Sequence, residues 1–135
     1  MQPDKKTLIK LSLDKARQAF MSASMNVENA WFSDAQNRIY YAIFYSVLAL
    51  SYLEEFKTSN HSELLGWFNK KFIYKEQLFD KEIAKIYKTA YKNRMLFDYT
   101  VYEEPEKTKL EEDLKSAKLF IETIEQYVLD KLQRN

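Results

Sequence analysis

The sequence predicts an all-α protein: a four-helix up-down bundle with one additional short helix, in a single domain over residues 1–135. Three observations carry this. The 135 residues are 46% hydrophobic and 16% aromatic, enough to bury one core. The chain holds one glycine and two prolines, too few for the frequent turns a β architecture needs. Apolar residues recur along it at spacings of three and four, the helical period.

The first helix is expected over Lys5 to Val27, where Leu13, Ala16, Phe20, Ala23 and Val27 form one stripe. The second is expected to open at Ser33, a residue type suited to the N-cap, and to run to about Glu55. From Ile39 to Leu50 it is apolar or aromatic except for Ser46, which places it at the centre of the bundle. The polar stretch Lys57 to Asn60 interrupts the pattern. A shorter helix follows over about Ser62 to Phe72, with Leu64, Leu65, Phe68 and Phe72 on one face. The fourth is expected from Asp80 towards Tyr99, with Ile83, Tyr87, Ala90, Arg94 and Phe97 in phase. Thr100 to Lys107, with Pro105 and an acidic cluster, reads as a connection. The last helix, from about Thr108 to Leu132, has the cleanest stripe: Leu110, Leu114, Ala117, Ile121, Ile124 and Val128.

Charge and cysteine narrow the function classes. Twenty-one basic against twenty acidic residues leave a net charge of +1, so RNA binding would need a local cluster of positive charge. No cysteine is present, which excludes disulfides and thiolate metal sites. The single histidine, with no helical partner at ligand spacing, argues for no metal. The longest apolar run is about half of a membrane span, and no signal sequence follows the charged N-terminus; a cytoplasmic protein with no membrane association is expected. No phosphate loop, nucleophile elbow or Ser/His/Asp set can be assembled, and no cofactor is implied.

Polar groups that break the apolar pattern mark the candidate site. Arg94 shares the phase of buried positions, and a desolvated guanidinium needs carboxylates, carbonyls or phosphates around it. Asp98, one turn on, offers an internal salt bridge; a phosphate in a cleft is the alternative, which the guanidinium fork suits. On the second helix Asp34, Arg38, Tyr41 and Tyr45 share a face, with Asn37 adjacent. That face reads as interhelical hydrogen bonding, a subunit interface or a ligand groove. His61, in the linker, reads as a surface or capping residue.

These residues also carry a resemblance. The run Asp34-Ala35-Gln36-Asn37-Arg38-Ile39-Tyr40-Tyr41-Ala42-Ile43-Phe44-Tyr45 is similar to the N-R-x-Y-Y-A-x-F signature of HEPN proteins. Asn60-His61 resembles that family's loop histidine. Arg94-Met95-Leu96-Phe97-Asp98-Tyr99 resembles the R-x-x-x-D-Y element of one HEPN branch, and Ala117-Lys118-Leu119-Phe120-Ile121 its A-x-x-F-I element.

The resemblance implies a helical bundle that forms a homodimer and is paired with an MNT-type nucleotidyltransferase in a toxin–antitoxin system. It implies a cleft at Arg94, with Asn37, Arg38 and Tyr41, that binds a nucleotide or RNA phosphate. Active HEPN ribonucleases place a histidine shortly after the motif arginine and work without metal, using a general base, a general acid and the arginine. Here Tyr99 stands in the histidine's place, so a ribonuclease reading assigns catalysis to Arg94 with Asp98 or Tyr99, or with His61. In some such pairs the antitoxin adds AMP to a tyrosine beyond the motif, which makes Tyr99 and Tyr102 the candidate modification sites. A non-catalytic helical interaction module is the remaining alternative.

Overall fold

The computed structural model describes residues 3–99 and 104–134, and side chains in the first of these stretches to residue 96. Within them the chain forms α1 (Lys5–Glu28), α2 (Phe32–Leu53), α3 (His61–Phe68) continued by a π-helical segment (Asn69–Lys75), α4 (Lys81–Tyr99) and α5 (Lys107–Arg134). All regular structure among the described residues is helical, as the composition and periodicity predict.

Helix ends explain where the chain turns. At the start of α1 the Asp4 carboxylate accepts from Thr7 N–H at 2.8 Å, and α4 opens with Asp80 Oδ1 accepting from Ile83 N–H at 3.1 Å. The ends of α1 and α2 are closed without glycine. Ala30 and Glu55 adopt left-handed conformations, with φ of 60° and 59°. Beyond them Trp31 N–H donates to Asn26 O, and Phe56 N–H to Ser51 O. Both are Schellman closures, which satisfy carbonyls that a helix end leaves unpaired. The first is so tight that only Asn29 to Trp31 separate α1 from α2.

That tight link corrects the expected start of α2. The helix begins at Phe32, its N-cap is Trp31, and no side chain caps it. Ser33 is already inside the first turn. The third helix also differs from expectation: it starts at His61, is capped by Asn60, and widens into a π-helix that reaches Lys75. The wider turn buries the adjacent Phe72 and Ile73 together.

α2 lies at the centre and packs on α1, α4, α5 and α3. Its Ile39, Tyr40, Ile43, Val47 and Leu50 are buried on several sides of the helix. Burial of each such large side chain contributes about 1.5 to 3 kcal/mol. At the other end of the core, Phe68 of α3 meets Tyr87 of α4 and Phe120 of α5, with ring centroids 5.5 and 5.7 Å away. This aromatic joint fixes α3 against α4, and so fixes the two residues that matter next.

Candidate phosphate-binding site

Arg94 and His61 are brought together by three elements. Asn60 Oδ1 accepts from Glu63 N–H at 2.9 Å and from Ser62 Oγ at 2.8 Å, so His61 is held in the first turn of α3. Its ring stacks on Phe44 of α2, with centroids 4.1 Å apart and planes 8° from parallel. Its Nδ1 lies 2.7 Å from the Tyr40 hydroxyl and 3.4 Å from Arg94 Nη1. The first is a good hydrogen bond; the second is a long one.

Arg94 is half-buried, and its guanidinium carbon sits 5.1 Å from the Tyr40 ring centre and 5.6 Å from that of Tyr41. Those ring faces attract a cation. Arg38 approaches Tyr41 in the same way at 5.0 Å, and donates from Nε and Nη2 to Asn37 Oδ1 at 3.2 and 2.9 Å. Tyr41 therefore lies against both arginines. Of the expected polar face of Asp34, Arg38, Tyr41 and Tyr45 with Asn37 adjacent, Arg38 and Tyr41 meet at the ring that Arg94 also approaches, and Asn37 bonds Arg38.

Protonation follows from these surroundings. Burial first, then the charge of Arg94, hold the His61 imidazole below the usual histidine range, so it is neutral at neutral pH. Tyr40 is 1% exposed, and burial pushes its phenol well above the ordinary value. It stays protonated throughout the physiological range. The arrangement thus combines a fixed positive fork, suited to a phosphate, with a neutral imidazole, suited to accept a proton.

Sequence reasoning missed three parts of this site. His61 read as a surface or capping residue, but Asn60 does the capping and His61 is half-buried between α2 and α4. Tyr40 and Phe44 read as core, yet they hold the imidazole. The run Asn60-His61-Ser62-Glu63, with a cap followed three residues later by a carboxylate, was the available signal that His61 opens a helix. Asp98 and Tyr99 fall in the last turn of α4, but their side chains, like the whole of Tyr102, lie outside the described residues. A cavity of about 280 Å³ lies elsewhere between α2, α4 and α5, lined by Gln36, Ile39, Ile43, Asn93 and Asp113 among others. Neither Arg94 nor His61 lines it.

The HEPN domain model matches residues 9–127, and the chain belongs to the HEPN family. It is 32% identical to a UPF0332 protein of Thermotoga maritima over 127 residues, covering 94% of this chain and 96% of that one. It is 35% identical to a candidate toxin of Methanocaldococcus jannaschii, over 94% of this chain and 85% of the relative. A second candidate toxin of that organism is 28% identical over 86% of this chain and 85% of its own length. No helix among the described residues is long and apolar enough to cross a membrane.

Proposed function

We propose that this protein is a toxin-type HEPN protein whose Arg94–His61 site binds a phosphate of RNA or of a nucleotide. The observation that carries the reading is the approach of Arg94 Nη1 to His61 Nδ1 at 3.4 Å, between residues 33 positions apart in the chain. A guanidinium held over two tyrosine faces offers charge and directional donors together, which is what phosphate recognition needs. The names of the archaeal relatives support the toxin role.

The same contact favours a second reading, metal-independent RNA cleavage. In that reaction the 2′-hydroxyl oxygen attacks phosphorus while a base takes its proton. The bond from phosphorus to the 5′-oxygen breaks, and an acid protonates the leaving oxygen. Neutral His61 supplies a base, and Arg94 stabilises the charge that builds on the phosphorane. In this reading His61 takes the part of the histidine that the motif lacks, its place in the sequence being held by Tyr99. One imidazole per chain leaves the acid to a further group, and a second copy in a homodimer would supply it. An MNT-type nucleotidyltransferase as antitoxin, modifying Tyr99 or Tyr102, completes the proposal.

Induced expression in a bacterial host tests it. The proposal expects growth arrest that Arg94→Ala and His61→Ala each relieve, with both variants folded by circular dichroism. Arrest that persists in a folded Arg94→Ala variant sinks the reading.

A further inference from the structure

Two hydrogen-bond donors converge on one nitrogen. His61 Nδ1 faces the Tyr40 hydroxyl at 2.7 Å and Arg94 Nη1 at 3.4 Å. A guanidinium has N–H donors and no acceptor, whereas a tyrosine hydroxyl can do either. An imidazole protonated on Nδ1 would therefore satisfy Tyr40 but set N–H against N–H at Arg94. A doubly protonated ring would set cation against cation. Only the neutral ring with its proton on Nε2 accepts from both neighbours.

The ring has little freedom to escape this choice. It is stacked on Phe44 at 4.1 Å and tethered through the Asn60 cap. Tyr40 is 1% exposed and Arg94 also donates to its oxygen, so the hydroxyl proton needs His61 Nδ1 as its acceptor, and leaving that proton unpaired is costly.

We propose that Tyr40 is a positioning residue: with Arg94 it fixes His61 as the Nε2–H tautomer, whose Nδ1 lone pair accepts from both and must give up these donors before it can take a substrate proton. The use made of that lone pair rests on the phosphate-site reading above; the tautomer itself does not. Tyr40 touches no substrate in this scheme. It acts through His61 by choosing which nitrogen carries the proton, the role a second partner plays for any histidine whose ring nitrogens must be told apart.

His61 is the only histidine in the chain, so ¹⁵N-histidine labelling gives a spectrum with a single imidazole. Above neutral pH the wild type should show the Nε2–H pattern, with that tautomer favoured by about ten to one or more. Tyr40→Phe, which keeps the ring and its packing, should show a mixture. Its imidazole should also titrate at higher pH than in the wild type, because donation to the lone pair stabilises the neutral form. An Nδ1–H or averaged pattern in the wild type overturns the proposal, and so does a folded Tyr40→Phe variant that keeps the wild-type pattern. Should Tyr40→Phe not fold, the wild type still decides. An NOE-detected, slowly exchanging Tyr40 hydroxyl proton beside the imidazole supports the bond, and a rapidly exchanging one overturns it. A single Nε2–H tautomer in a protein that binds no RNA would support this inference while sinking the phosphate reading.

Discussion

Tyr87→Phe should raise the stability of the protein although it removes an atom from the core. Tyr87 is 0% exposed, and its hydroxyl has no hydrogen-bond partner among the described residues. Its ring packs edge-to-face on Phe68 and Phe120, at 5.5 and 5.7 Å with interplanar angles of 66° and 68°. Phenylalanine keeps both contacts. What changes is the hydroxyl, whose burial without a partner costs about 1 to 3 kcal/mol. The small void left behind offsets part of this, at about 24 cal/mol per Å³ of cavity. A net gain of about 1 kcal/mol is expected. For a chain of 135 residues that corresponds to a rise in Tm of about 3 to 4 °C. Calorimetry and urea unfolding at constant m-value both read it. A fall in Tm would refute the reasoning, and would mean that the hydroxyl is satisfied in solution by a group or water that the packing admits.

Two further predictions concern how the site is held. Burial and Arg94 keep His61 below the ordinary histidine pKa of about 6.5, so on acidification the unfolded chain takes up its proton before the folded one does. This contribution to stability should be full above pH ~6.5 and decline from there down to the folded-state pKa. The difference in Tm between wild type and His61→Gln, followed from pH ~7.5 to ~5, should show it; parallel curves would contradict the shift. Asn60→Ala removes the cap that accepts from Glu63 N–H and Ser62 Oγ and should cost about 1 kcal/mol. It should also raise hydrogen exchange in the first turn of α3, and unchanged exchange there would mean that Phe44 stacking alone seats His61.

The bundle was legible in the sequence because its signals are local. The stripe through Leu110, Ala117, Ile121, Ile124 and Val128 is buried as its period requires. The all-round apolar run of α2 does lie at the centre. The phase of Arg94, shared with Ile83 and Tyr87, correctly turns it inwards. Boundaries failed where the chain departs from common chemistry. Ala30 takes a left-handed conformation that glycine usually fills, so nothing in the sequence announces the tight link that starts α2 before Ser33. The π-helical stretch after Phe68 has no period to read.

The site failed differently. Arg38 and Tyr41 could be grouped with Asp34 and Tyr45 because spacings of four, three and four put them on one face, with Asn37 adjacent. Spacing alone could not join His61 to Arg94, since 33 residues separate them and the docking of α3 and α4 on α2 closes the gap; the family resemblance alone offered the pair. Tyr40 looked like core because it is core; its single polar atom is what makes it part of the site.

In the proposed function Arg94 and His61 together handle an RNA phosphate. Its most direct test is incubation of purified protein with a short single-stranded RNA in EDTA, wild type beside Arg94→Ala and His61→Ala, with binding and cleavage both recorded. The wild type should bind RNA, and Arg94→Ala should bind it more weakly. Where cleavage occurs, it should fall by about a hundredfold or more in that variant and by a comparable factor in His61→Ala. A folded Arg94→Ala variant that binds and cuts RNA as the wild type does would contradict the proposed function.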